Sequence, residues 1–173
     1  MSRWFFIIGG VLLSIFAAVY AYLGGFATPQ VEQLTTPQPI YLAGRYYEGI
    51  PDQNFAKLFS QTNELYRAGT LKGTLGNIYY NDPEKEGQEV KAFIGLVVPD
   101  TTSQQLPVGY SFRALPAGQR VLRARVKASF MLAPGKLYPA LKDALKERNL
   151  QTQSVFVEQF PEDAPSEMLV VLR

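Results

Sequence analysis

GNIYYNDP, residues 76–83, sets Tyr79 and Tyr80 side by side and then stops on Asn81-Asp82-Pro83. Successive side chains of a strand point to opposite faces. One tyrosine at most can therefore lie under a covering helix, and the other must face something else. A similar stretch recurs at SVFVEQF, residues 154–160, which closes on Pro161. Its alternation puts Phe156, Glu158 and Phe160 on one face and Val155, Val157 and Gln159 on the other. Aligning Pro83 with Pro161 sets Ile78 opposite Phe156 and Tyr80 opposite Glu158.

The surroundings of these two stretches follow one order. PIYLAGRYYEGI, residues 39–50, is aromatic and β-branched enough for a strand. Pro51-Asp52 opens a helix, with Asp52 as its N-cap and Phe55, Leu58, Phe59, Leu65 and Tyr66 as one buried stripe. Gly69 is placed to end it. Strands follow around Leu75–Tyr80 and from Glu89 to Val98, the latter nearly all apolar as in mid-sheet. In the second half, residues 108–115 lead through Pro116-Ala117-Gly118 into a strand at Arg120–Ala128. An amphipathic helix over 135–149 buries Leu137, Leu141, Ala144 and Leu145, with Pro139 harmless in its first turn. Strands 154–160 and 167–173 close the chain.

Both halves read strand, helix, strand, strand, an internal duplication of pattern. The expected fold is α+β: one duplicated antiparallel sheet of about eight strands, both helices on one face and the other face bare. A large bare apolar face needs a reason. Curved, it becomes a ligand groove, to which the alignment assigns Tyr80, Phe156, Glu158 and Phe160, with Tyr79 on the helix side. The competing reading is that these aromatics are plain core.

Ahead of the domain, Trp4 to Phe26 contains no charge over 23 residues. As a helix that is roughly 35 Å, against a hydrocarbon core of about 30 Å. Trp4 sits at one end, Tyr20 and Tyr22 near the other, as an interfacial belt requires. The expectation is an N-terminal transmembrane helix and single-pass membrane anchor (1–27), then a Pro-, Gln- and Thr-rich linker (28–37) and the domain (38–173). A cleaved signal peptide ending at Val19-Tyr20-Ala21 or Gly25-Phe26-Ala27 is the alternative. Arg3 before the span and Glu32 as the first charge after it place the domain on the non-cytoplasmic side.

Composition excludes several chemistries. The chain has 17 basic and 15 acidic residues, and no block of like charge that would mark a nucleic-acid surface. With no His and no Cys, a Ser-His-Asp triad, a Cys-His dyad, a disulfide framework, histidine-ligated haem and a typical zinc site are all ruled out.

Three stretches carry a resemblance: Tyr79-Tyr80-Asn81-Asp82-Pro83; Tyr138-Pro139-Ala140-Leu141 with Lys146-Glu147-Arg148-Asn149-Leu150; and Glu158 through Phe160 to Glu162-Asp163. Arg45-Tyr46-Tyr47-Glu48-Gly49 is a looser fourth. Over nearly all of 38–173 the chain resembles the GyrI-like small-molecule-binding family. More narrowly, it resembles the single-pass, testis-expressed animal receptors for autophagy of the endoplasmic reticulum. The resemblance implies the duplicated sheet with a central groove and a small, lipophilic or cationic ligand. It implies a glutamate on the penultimate strand that meets the ligand's charge, matched here by Glu158. Tyr47, in the looser fourth stretch, joins the expected ligand-binding set, and no cofactor and no metal are expected. Those receptors carry a long C-terminal tail, whereas this sequence ends at Arg173, so their receptor activity is not carried over.

Glu158 between two phenylalanines must protonate, pair with a basic side chain or await a ligand cation. Flanking rings would add cation–π attraction of about 0.5–2 kcal/mol. Arg123, Arg125 and Lys127 share another face; lining the groove they would favour an anion, and at a sheet edge they would discourage aggregation. The expected function is a membrane-anchored small-molecule-binding protein, not an enzyme, for a lipophilic cation or amphiphile. The alternatives are a hydrolase in which Glu158, assisted by Tyr80, activates water, and a membrane-tethered protein-interaction adaptor.

Overall fold

A computed structural model describes residues 3–85, 87 and 89–173. The elements are α1 (Arg3–Tyr22), β1 (Gln30–Thr35), β2 (Ile40–Gly49), α2 (Gln53–Arg67), β3 (Thr74–Tyr79), β4 (Val90–Val98), β5 (Ser111–Leu115), β6 (Arg120–Val126), α3 (Pro134–Glu147), β7 (Thr152–Phe160) and β8 (Ser166–Leu172). All eight strands form one antiparallel sheet in the order β1-β6-β8-β7-β3-β4-β2-β5. The two repeats, β2-α2-β3-β4 and β6-α3-β7-β8, abut at β3 and β7.

The ends of that order meet. β1 runs into β2 and β5 into β6 through short corners at 36–39 and 116–119. Thr36 stitches the corners together: its N–H donates to Gln119 O at 2.9 Å and its carbonyl accepts from Gly118 N–H at 2.8 Å. Its hydroxyl donates to Pro116 O at 3.2 Å and accepts from Gln119 N–H at 2.9 Å. The sheet therefore curls on itself. A cross-strand row of Gly44, Gly95 and Gly76 lets it do so, because a Cβ at Gly44 or Gly95 would collide with a carbonyl of the neighbouring strand. The inner face fills with Leu42, Ile78, Phe93, Val121, Val157 and Leu169, none more than 3% exposed.

This corrects the expectation of a bare face carrying the groove. Curling closes that face over its own side chains, and the outer face is the one that offers room. Both helices pack there. α3 lays Leu137, Tyr138, Leu141 and Ala144 onto Leu122, Ala124, Met168 and Val170. α2 starts where Asp52 Oδ1 accepts from Phe55 N–H at 2.9 Å. Among its described residues only Thr62 is buried, so α2 stands farther off the sheet than α3.

Residues 30–35, expected within the linker, instead form β1 and pair with β6 from Gln30↔Arg125 to Thr35↔Arg120. β6 is thus no edge. Arg123 pairs with Glu32, and Arg125 with Glu167 at 2.9 Å.

The N-terminal expectation is corrected too. Among the described residues no helix is long and apolar enough to cross a membrane. α1 stops at Tyr22, before the expected span is complete. Leu23–Phe26 instead turn onto the domain: Leu23 O accepts from Ser129 N–H at 2.9 Å, and Gly25 O accepts from Lys136 Nζ at 2.6 Å. The single-pass anchor, the membrane as partner through residues 4–26 and the non-cytoplasmic placement of the domain therefore lack support. The orientation drawn from Arg3 rests on a side chain outside those described.

Candidate functional site

A cavity of about 1300 Å³ lies on the outer face of the sheet, between α2 and α3. Its floor is the seam where β3 meets β7, its walls are Phe59 and Tyr66 of α2 and Tyr138 of α3, and Tyr22 and Phe130 stand at its rim. The polar residues of the floor are cross-strand partners, Asn77 and Glu158.

Each is placed by its element. Glu158 lies in the regular part of β7, beyond an irregularity between Thr152 and Phe156, so it shares a face with Phe156 and Phe160. Asn77 alternates with Ile78, which points into the curl, and so turns outward. Tyr138 sits one residue after Leu137 and three before Leu141 on the packed stripe of α3, and its phenol reaches down to the sheet.

Glu158 is 5% exposed. Its Oε2 accepts from Asn77 Nδ2 and its Oε1 from Tyr138 Oη, both at 2.9 Å. Among the described residues no Lys or Arg forms an ion pair with it. Burial pushes its carboxyl above the usual carboxylate range. The hydrogen bonds from Asn77 and Tyr138 pull it part of the way back, and the nearby Glu84 carboxylate adds a small push upward. Burial, with the Glu158 charge second, also raises the Tyr138 and Tyr79 phenols, which stay protonated. The site thus holds a desolvated carboxyl with both oxygens engaged and, among the described residues, no counter-charge. A proton or a positive group beside it would relieve the cost of its burial.

The residues named from sequence are distributed as follows. Glu158 and Phe160 line the cavity. Phe156 is 4% exposed and supports Tyr138 from below, ring centroids 5.9 Å apart. Tyr80 faces away, 37% exposed and against Tyr46 with centroids 6.2 Å apart. Tyr47 braces the start of α2, its hydroxyl donating to Ile50 O at 2.6 Å and its ring against Phe55, outside the cavity lining.

The Tyr80 assignment fails for a reason of register. The partner of Glu158 is Asn77, three residues before Tyr80, and an odd slip on a strand exchanges the two faces. Asn77 and Glu158 are 81 residues apart, as are the first residues of α2 and α3, Gln53 and Pro134. Pro83 and Pro161 are not equivalent. Sequence reading therefore missed Asn77 and Tyr138; it put Tyr79 on the helix side, where the structure has it, without assigning it to the site. A lone amide within the apolar run of β3, and a tyrosine on the buried stripe of α3, were the available signals.

No protein-family model and no curated protein matches the sequence. The fold does match solved structures. An integron cassette protein from the mobile metagenome of Vibrio cholerae aligns with a TM-score of 0.59 at 11% identity, covering 84% of this chain and 96% of its own. The C-terminal domain of EcmrR aligns at 0.51 and 14% identity, covering 85% of this chain and 98% of that one. A protein of Staphylococcus aureus described as a bacterial transcription regulation protein aligns at 0.51 and 12%, covering 84% and 97%. These likenesses lend nothing to the expectation that nucleic acid is excluded, nor to the narrower likeness to single-pass receptors. What the chain shares with them is the fold, a small antiparallel sheet with helices packed on it.

Proposed function

We propose that this protein is a small-molecule-binding domain that takes a lipophilic cation in the cavity between α2 and α3, with its positive group at Glu158. One observation carries the reading: a buried carboxylate at the floor of an aromatic-walled cavity of about 1300 Å³, with no basic side chain paired to it among the described residues. A carboxylate so placed is costly to ionise in the empty state and regains that cost when a cation arrives. Tyr79, Tyr138 and Phe160 line the same cavity, and an aromatic ring close to a bound cation adds attraction. The fold shared with the regulator domains supports the reading at the level of architecture.

A second reading, a hydrolase, is favoured by the 2.9 Å hydrogen bond between Tyr138 Oη and Glu158. It gives a candidate base a phenolic partner within reach.

Isothermal titration of the full chain with tetraphenylphosphonium tests the first reading. Saturable binding that Glu158→Gln abolishes is the expected result, and equal binding by the variant overturns it. Glu158-dependent turnover of an aryl-ester panel would transfer the site to the second reading.

A further inference from the structure

We propose that the cavity exchanges a proton for its cation: the empty site holds Glu158 as the neutral acid, and arrival of the cation expels that proton to solvent. This deepens the reading given under Proposed function and rests on it.

Three geometric facts lead here. The carboxyl is buried, and both its oxygens are already engaged by neutral groups. Among the described residues no cation is paired with it, so no described side chain balances a negative charge there. The partners also suit either form. Asn77 Nδ2 can only donate, so it fixes Oε2 as an acceptor in both states. The Tyr138 hydroxyl can donate or accept. It accepts from Oε1–H when Glu158 is protonated and turns to donate to Oε1 when Glu158 is ionised. The exchange therefore breaks the Oε1–H bond, moves its proton to water at the cavity mouth and leaves both hydrogen bonds in place.

The other charged groups around the cavity do not replace the missing cation. Glu84, beyond the end of β3, opposes ionisation, and its own charge is held by Lys142 of α3 at 2.7 Å. Tyr79 beside Asn77 is held neutral by burial. Arg67 of α2 and Lys127 after β6 reach the lining, as do Glu162 and Asp163 after β7, a balanced set that forms no ion pair with Glu158. Burial raises the affinity of Glu158 for its proton in the same direction.

The test is calorimetric titration of the full chain with tetraphenylphosphonium, whose charge is fixed at every pH. Paired buffers of different ionisation enthalpy would be used from about pH 5 to about pH 8. The expected result is release of about one proton per cation at the acid end, with affinity rising by up to about tenfold per pH unit there and levelling off above. Tyr138→Phe, which takes the donor from the ionised form, moves the levelling-off to higher pH. Binding that still needs Glu158 but shows flat affinity and no proton release overturns the exchange and leaves the binding site standing. Absence of cation binding at every pH, or full binding by Glu158→Gln, removes the binding site and the exchange with it.

Discussion

Glu158 is held by two neutral donors, and its proton is bound more tightly in the folded protein than in the unfolded chain. A carboxyl of this kind contributes stability below its unfolded value of 4.5 and loses it as pH rises through the higher folded value. Urea denaturation of the ligand-free protein should therefore show stability falling as pH climbs above 4.5. Glu158→Gln should flatten that fall and exceed the wild type at alkaline pH. Tyr138→Phe should cost about 1–2 kcal/mol, because it leaves Oε1 buried without a partner. Sequence alternation was enough to put Phe156, Glu158 and Phe160 on one face. It was not enough to find the partner across the seam, since pairing between repeats is set by register, and two prolines three residues out of phase suggested Tyr80 where Asn77 stands.

At the scale of elements, local chemistry and long-range pairing part company. Asp52 as the cap of α2 and the proline-tolerant start of α3 were legible because each depends on neighbours in the chain. Asp52→Ala should cost about 1 kcal/mol, read as a lower midpoint of thermal unfolding, and should loosen the Tyr47 brace that shares the Asp52 carboxylate. β1 was not legible. Its Pro-, Gln- and Thr-rich surroundings resemble a tether, and only pairing with β6, some ninety residues away, makes it a strand. The glycine row makes a sharper test. Gly95→Ala introduces a methyl that meets the Ala43 backbone, and overpacking of that kind costs about 1–3 kcal/mol. A loss of less than about 0.5 kcal/mol, taken from the denaturant midpoint and its slope, would mean that the sheet does not curl so tightly.

In the whole molecule, the helices lie outside a sheet that has wrapped its other face shut. Backbone amides of β4, paired on both sides and buried, should exchange with deuterium far more slowly than those of α1. The described apolar side chains of α1, such as Phe6, Leu13 and Phe16, are not packed against the sheet. The duplicated order of elements was readable from hydrophobic period and turn residues; the closure was not, because it depends on how the corners at 36–39 and 116–119 bend together in space. Asn77 and Glu158 grip each other across the seam, yet each is supplied by a different repeat. A single repeat pairing with its own twin would set acid against acid, which repel, or amide against amide, which carry no charge to offer. One Asn77–Glu158 pair at this seam therefore requires two halves that differ at this position, a difference that two repeats within one chain can carry.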